Sequence, residues 1–180
     1  FGELLFTGSG VSGPVILSAS AYYKPDSETV LHIDLKPALD EKKLYERIQR
    51  DFLESSRKLF SNALDKLLPK KMIPVLIART GISPTKPVNQ LSREERMTVV
   101  RLMKQFPVRI DAIDDVKNAI VTAGGVCVRE VDPKTMESKL CRGLFFAGEV
   151  LDVDGYTGGF NLTIAFSTGY AAGSGTNKKE

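Results

Sequence analysis

Between Asp40 and Phe106 the apolar residues recur at three- and four-residue intervals, whereas on either side they come in short runs broken by glycine and proline. A chain patterned this way carries a helical block between two strand-forming flanks, with one last strand-to-helix unit at the end. From Asp40, a good N-cap, the set Leu44, Ile48, Phe52, Leu59, Phe60, Ala63, Leu64 and Leu67 predicts one long amphipathic helix up to Pro69. A second, short helix is expected over Lys71 to Arg79, stopped by Gly81 and the Pro84/Pro87 segment. Ser92 followed by Glu95 forms a capping box ahead of Met97, Val100, Leu102, Met103 and Phe106.

The flanks read as β-rich. Residues 3 to 7, 29 to 34, 107 to 111, 119 to 122, 126 to 131 and 144 to 148 have strand character, with a short helix over Pro14 to Tyr22 and a last one over Leu162 to Gly173. The fold class expected is α+β, with a β-rich domain (1–39 and 107–140), a helical subdomain (40–106), a C-terminal strand-helix unit (141–173) and a flexible tail (174–180). In this layout the strand at 144–148 lacks neighbours and becomes an exposed edge.

With 180 residues, 42% of them hydrophobic, the chain can bury a full core in one domain or one and a half. Twenty-five basic and 22 acidic side chains give a net charge of only +3, with the signs mixed along the chain, so no nucleic-acid surface is expected. Lys66, Lys70 and Lys71 read as the solvated end of the long helix, where cations offset its dipole. No apolar run is long enough to cross a bilayer and no leader precedes residue 1, so the expected location is the cytoplasm. Cys127 and Cys141 lack a histidine partner and read as reduced, partly buried thiols rather than metal ligands or nucleophiles. His32, the only histidine, reads as a packed or surface residue.

Two glycine-rich stretches remain. Gly8 to Pro14, GSGVSGP, has the spacing G-x-G-x-x-G, and Asp34 stands about 20 residues beyond it, where a ribose-binding acid belongs in a dinucleotide fold. The segment Pro14 to Tyr22 is short for the crossover such a fold needs. Near the other end, the run Leu144 to Ala147 leads into Gly148, Glu149 and Asp152, then Asp154, Gly155 and Tyr156, then Thr157, Gly158, Gly159, Phe160 and Asn161 at a helix start. Carboxylates accept from polyol hydroxyls, and a helix start favours an anion. On the residues alone, a glycine-rich connection with solvated acids fits equally well.

Several stretches together resemble the HI0933-like flavoproteins: Gly2 to Thr7 with Gly10 to Pro14, Val121 to Val126, Glu130 to Leu140 and Gly143 to Asn161. These are bacterial NAD(P)/FAD-dependent oxidoreductases of the two-dinucleotide-binding-domain class. The resemblance implies that Gly148, Glu149 and Asp152 meet the ribityl chain of FAD, and that Gly158, Gly159, Phe160 and Asn161 face the isoalloxazine. Thr122, Gly124 and Gly125 match the crossover between inserted and FAD-binding domains, where a tight bend is an equal reading. GSGVSGP becomes a turn and helix cap of the inserted domain. The family's own phosphate-gripping fingerprint lies in an upstream segment absent here, and the His-Phe pair of many relatives is missing after Thr7.

The implied reaction is hydride transfer between NAD(P)H and a small-molecule substrate through FAD. No residue stands out as catalytic, and the chain alone is expected to bind FAD poorly without the upstream segment. The alternative is a non-catalytic module that binds a substrate or a partner.

Overall fold

The computed structural model describes residues 2–25 and 27–176. Along the chain run β1 (Leu5–Phe6), β2 (Val11–Ser12), α1 (Pro14–Ser20), β3 (Thr29–Ile33), α2 (Glu41–Glu54), α3 (Ile73–Thr80), α4 (Arg93–Lys104), β4 (Phe106–Ile110) and α5 (Phe160–Thr176). The architecture is mixed, with two small antiparallel sheets and five α-helices among the described residues. Two compact units divide it: Ser27–Asp111, and the remainder formed by both ends.

In the first unit β3 lies antiparallel to β4, with Thr29 opposite Ile110 and Ile33 opposite Phe106. Both sides of the helical block thus supply one strand each, as the patterning predicts. Leu44, Ile48, Leu64, Leu76, Val99, Val100 and Met103 are fully buried between the helices. Asp51, the buried acid of this core, accepts Arg47 Nε at 2.9 and 2.8 Å through its two oxygens, which satisfies a carboxylate that would otherwise be costly to enclose.

The long helix expected from Asp40 to Pro69 does not form. Asp40 caps it as predicted, accepting from Lys43 N–H at 2.7 Å, but α2 stops at Glu54. Ser55 and Ser56 favour local bonds over helix, and Phe60 must turn back to reach the core. Residues Phe60–Asn62 form a single 3₁₀ turn whose entry pairs with a neighbouring segment. Phe60 N–H bonds Lys86 O at 2.9 Å and Val88 N–H bonds Lys58 O at 3.0 Å. Turns that each drop a side chain into the core imitate helical spacing. Lys66, Lys70 and Lys71 therefore do not stand at a helix C-terminus, and the dipole does not account for them.

Asp34 is committed to structure. It pairs with Lys104 Nζ at 2.5 Å and accepts from Lys36 N–H at 2.9 Å, while the same ammonium donates to the carbonyls of Lys36 and Leu39. It ties the end of β3 to the end of α4.

The capping box of α4 forms as expected: Ser92 Oγ accepts from Glu95 N–H at 3.1 Å, and Glu95 accepts from Ser92 N–H at 2.7 Å. Ser92→Ala should cost about 1 kcal/mol in urea unfolding. Lys86, 2.6 Å from the Glu95 carboxylate, and the Ser92 amide together hold the Glu95 pKa below its ordinary value. A depressed carboxylate stabilises the fold above its ordinary pKa and loses that contribution as pH falls through the lowered one. Glu95→Gln should flatten this acid limb, read as unfolding midpoints across a pH series.

In the second unit β1 and β2 form a small hairpin, Leu5 opposite Ser12, closed by Thr7 N–H to Gly10 O at 2.9 Å. Gly13 then caps α1 with φ 99°, where a Cβ would meet the backbone of Glu3 at 3.0 Å, and Pro14 opens the helix. GSGVSGP is thus a hairpin turn followed by a helix cap. The strands expected at 119–122, 126–131 and 144–148 do not form. Residues 119–122 pair with nothing that makes a strand, Val128–Glu130 and Gly148–Val150 are 3₁₀ turns, and single bridges join Val126 to Leu151, Val131 to Ser138 and Glu137 to Phe145. Apolar runs become strands only where a partner continues the ladder, and one bridge is too short for that. The exposed edge expected at 144–148 is absent accordingly.

A small cluster of Val131, Met136 and Leu151, flanked by Val126, Phe146, Ala171 and Ala172, holds this part together. Helix α5 begins at Phe160 and reaches Thr176, so residues 174–176 are helical rather than tail; the rest of the expected tail, 177–180, lies outside the described residues. Both cysteines are exposed, not partly buried, because their segments are turns at the surface. Among the described residues no helix is long and apolar enough to cross a membrane, and no acid, cysteine and histidine cluster could hold a metal ion.

Candidate cofactor-binding corner

Three chain segments predicted to share a site meet in the second unit. Val126 N–H bonds Val150 O at 2.8 Å and Asp152 N–H returns to Val126 O at 2.9 Å, so the Gly124–Gly125 bend lies along residues 150–152. Gly125, at φ 144°, permits this approach: a Cβ there would stand 2.4 Å from Val150 O. Only a residue without a side chain fits.

Helix α5 is fastened to the same loop. Gly148 N–H donates to Thr168 Oγ1 at 3.0 Å, at the middle of the helix. Near its start, Asn161 grips Gly155 twice, accepting from its N–H at 2.7 Å and donating to its carbonyl at 2.8 Å. At its far end Gly175 is buried against Thr135, where a Cβ would come within 2.5 Å of the carbonyl. Asn161 therefore shapes the loop ahead of the helix, with its amide already engaged on both sides.

Thr163 N–H bonds Gly159 O at 3.0 Å, and helix geometry gives the amides before it no acceptor within the helix. Gly148 and Gly159 have positive φ and open space where a side chain would be. Glu149 and Asp152 are exposed and form no ion pair among the described residues. Thr122 is exposed, and Gly158 packs only near the Phe160 ring. The glycine corner also comes close: Thr157 Oγ1 donates to Pro14 O at 3.4 Å and lies 3.3 Å from Ser18 Oγ. Beside it the Tyr22 and Tyr156 hydroxyls bond each other, which raises the Tyr156 pKa above its ordinary value.

From Gly155 to Thr176 there is no acidic or basic side chain, and Phe160, Leu162, Phe166 and Tyr170 stand largely exposed. Sequence reasoning found the loop glycines and acids. It gave no role to Gly155, Thr168 or Gly175, whose contacts lie 6 to 40 residues away.

Residues 1–121 match the family model of the HI0933-like protein barrel and H2TH domain. The chain belongs to the HI0933-like family. Its curated relatives extend the match into α5. The chain is 35% identical, over 95% of its length, to the ribosomal RNA dihydrouridine synthase of Haemophilus influenzae, and 32% identical over 94% to that of Escherichia coli. It is 32% identical over 96% of its length to the 3-dehydro-bile acid delta(4,6)-reductase of Clostridium scindens. These alignments cover 41%, 41% and 43% of those proteins, so the chain spans about two-fifths of the length of the HI0933-like relatives it matches.

Proposed function

We propose that this chain is part of an FAD-dependent reductase that uses NAD(P)H to add hydride and a proton to a carbon–carbon double bond, and that its substrate is a uracil ring in ribosomal RNA. The observation that carries the flavin reading is the junction of residues 124–126, 148–152 and the start of α5. The donor set suits a flavin. The carboxylates of Glu149 and Asp152 would accept from ribityl hydroxyls, and the first amides of α5 would face the edge of the ring that gains negative charge on reduction. Bound FAD supplies the two-electron chemistry; the chain's own residues bind and orient. In this reading residues 141–173 belong with an FAD-binding domain, 1–39 and 107–140 form the inserted domain, and 40–106 is its helical part.

The substrate reading rests on the two relatives named for dihydrouridine synthesis in ribosomal RNA. The relative named as a bile acid reductase makes a steroid-like substrate the alternative. Both names describe hydrogen added to an unsaturated ring. The whole protein should purify with a flavin absorbance band and, with NADPH, add two hydrogens to a uridine of ribosomal RNA, read by mass spectrometry of nuclease digests. A colourless protein that ignores added FAD would refute the flavin reading; a yellow one inert on ribosomal RNA would refute the substrate. Glu149→Gln with Asp152→Asn should weaken FAD binding by about tenfold or more, since a hydrogen bond to a charged acceptor contributes about 1.5–3 kcal/mol.

A further inference from the structure

The charges that look mixed along the sequence are segregated in the fold. Ser27–Asp111 holds seventeen lysines and arginines against eleven acids, a net charge of +6, and the remaining residues of the chain sum to −3. Within residues 50–71 there are six basic side chains and three acids, and every one of those acids is already occupied. Asp51 is buried against Arg47, Glu54 pairs with Lys66 at 2.9 Å and Asp65 pairs with Lys58 at 3.4 Å. The last two pairs join the end of α2 to the turn before α3. Arg50, Arg57, Lys70 and Lys71 are exposed and form no ion pair among the described residues. Leu53 stands 77% exposed three residues after Arg50, on the same face of the end of α2.

We infer that this surface, at the C-terminal end of α2 and the turn before α3, docks the phosphate backbone of the RNA substrate. The inference rests on the ribosomal RNA reading above and departs from the expectation of no nucleic-acid surface, which took the signs in sequence order. Four exposed cations outside any ion pair match a track of phosphates, and a protruding leucine beside Arg50 can pack on a ribose or an unstacked base. A helix dipole does not explain the lysines: Lys70 and Lys71 stand just ahead of the N-terminus of α3, the end that disfavours cations.

The test uses the 180-residue chain and a fluorescein-labelled RNA hairpin, titrated across a salt series. The variant Arg50→Gln/Arg57→Gln/Lys70→Gln/Lys71→Gln should bind about tenfold or more weakly and lower the slope of log affinity against log salt by about 3, roughly one per lost phosphate contact. The comparison variant Lys42→Gln/Arg93→Gln/Arg101→Gln/Lys134→Gln removes equal charge elsewhere and should keep most of both. Equal losses in the two variants, an unchanged slope in the first, or no hairpin binding by the parent chain would overturn the surface. Whole protein that reduces ribosomal RNA while the first variant binds normally would overturn the surface and leave the substrate reading standing.

Discussion

Replacing Phe60 by alanine is expected to destabilise the Ser27–Asp111 unit by about 3–5 kcal/mol, the range for removing a buried aromatic ring. Phe60 has no exposed surface and meets Phe52 edge-on, ring centres 6.4 Å apart. It stands where the expected helix gives way to a 3₁₀ turn, so the neighbours cannot slide along a regular axis to refill the space. Its backbone is fixed as well, through the bond to Lys86 O. Phe60→Leu keeps most of the volume and should cost much less, about 1.5 kcal/mol or below. Urea unfolding followed by far-UV circular dichroism reads both. A loss under about 1 kcal/mol for the alanine variant would contradict the packing.

Gly125→Ala should cost about 3 kcal/mol or more in the other unit, because two penalties act together. The methyl group would overlap a backbone carbonyl that cannot rotate away, and the backbone at φ 144° is one that side chains rarely tolerate. The readout is local: hydrogen exchange at the amides of Val126 and Asp152, which are bonded across this junction, should accelerate strongly. Gly124→Ala is the matched comparison. Its φ of 94° is also strained, but nothing lies within 4 Å of the added carbon, so the cost should stay near the strain alone, about 1 kcal/mol. Equal exchange rates in the two variants would mean that the close approach is not what holds the bend.

The parts of the fold legible in sequence are those whose causes are local. The caps at Asp40 and Ser92, the stop at Gly81 and the turn at GSGVSGP each depend on a few adjacent residues. The strands expected at 29–34 and 107–111 form, at Thr29–Ile33 and Phe106–Ile110, because these runs find each other; Phe106, counted with the apolar residues of the last helix, opens the second strand instead. The runs at 119–122, 126–131 and 144–148 look similar in composition, but their fate depends on a partner strand, which composition does not specify. The overlong helix fails for a related reason: periodicity reports which residues face a core and not whether one helix or several turns present them. At the candidate corner the glycines and acids were legible as types, while Thr168 and Gly175 act through contacts far along the chain. Charge was the least legible quantity, since ion pairing decides which cations remain available.

The fastening of α5 has a mechanical consequence. Held at Asn161, Thr168 and Gly175, its seventeen residues form a strut of about 25 Å. A ligand that shifts the loop at Gly155 would move the whole rod and be felt at the turn around Thr135, so a probe attached to Lys134 should report occupancy from the opposite end of the helix.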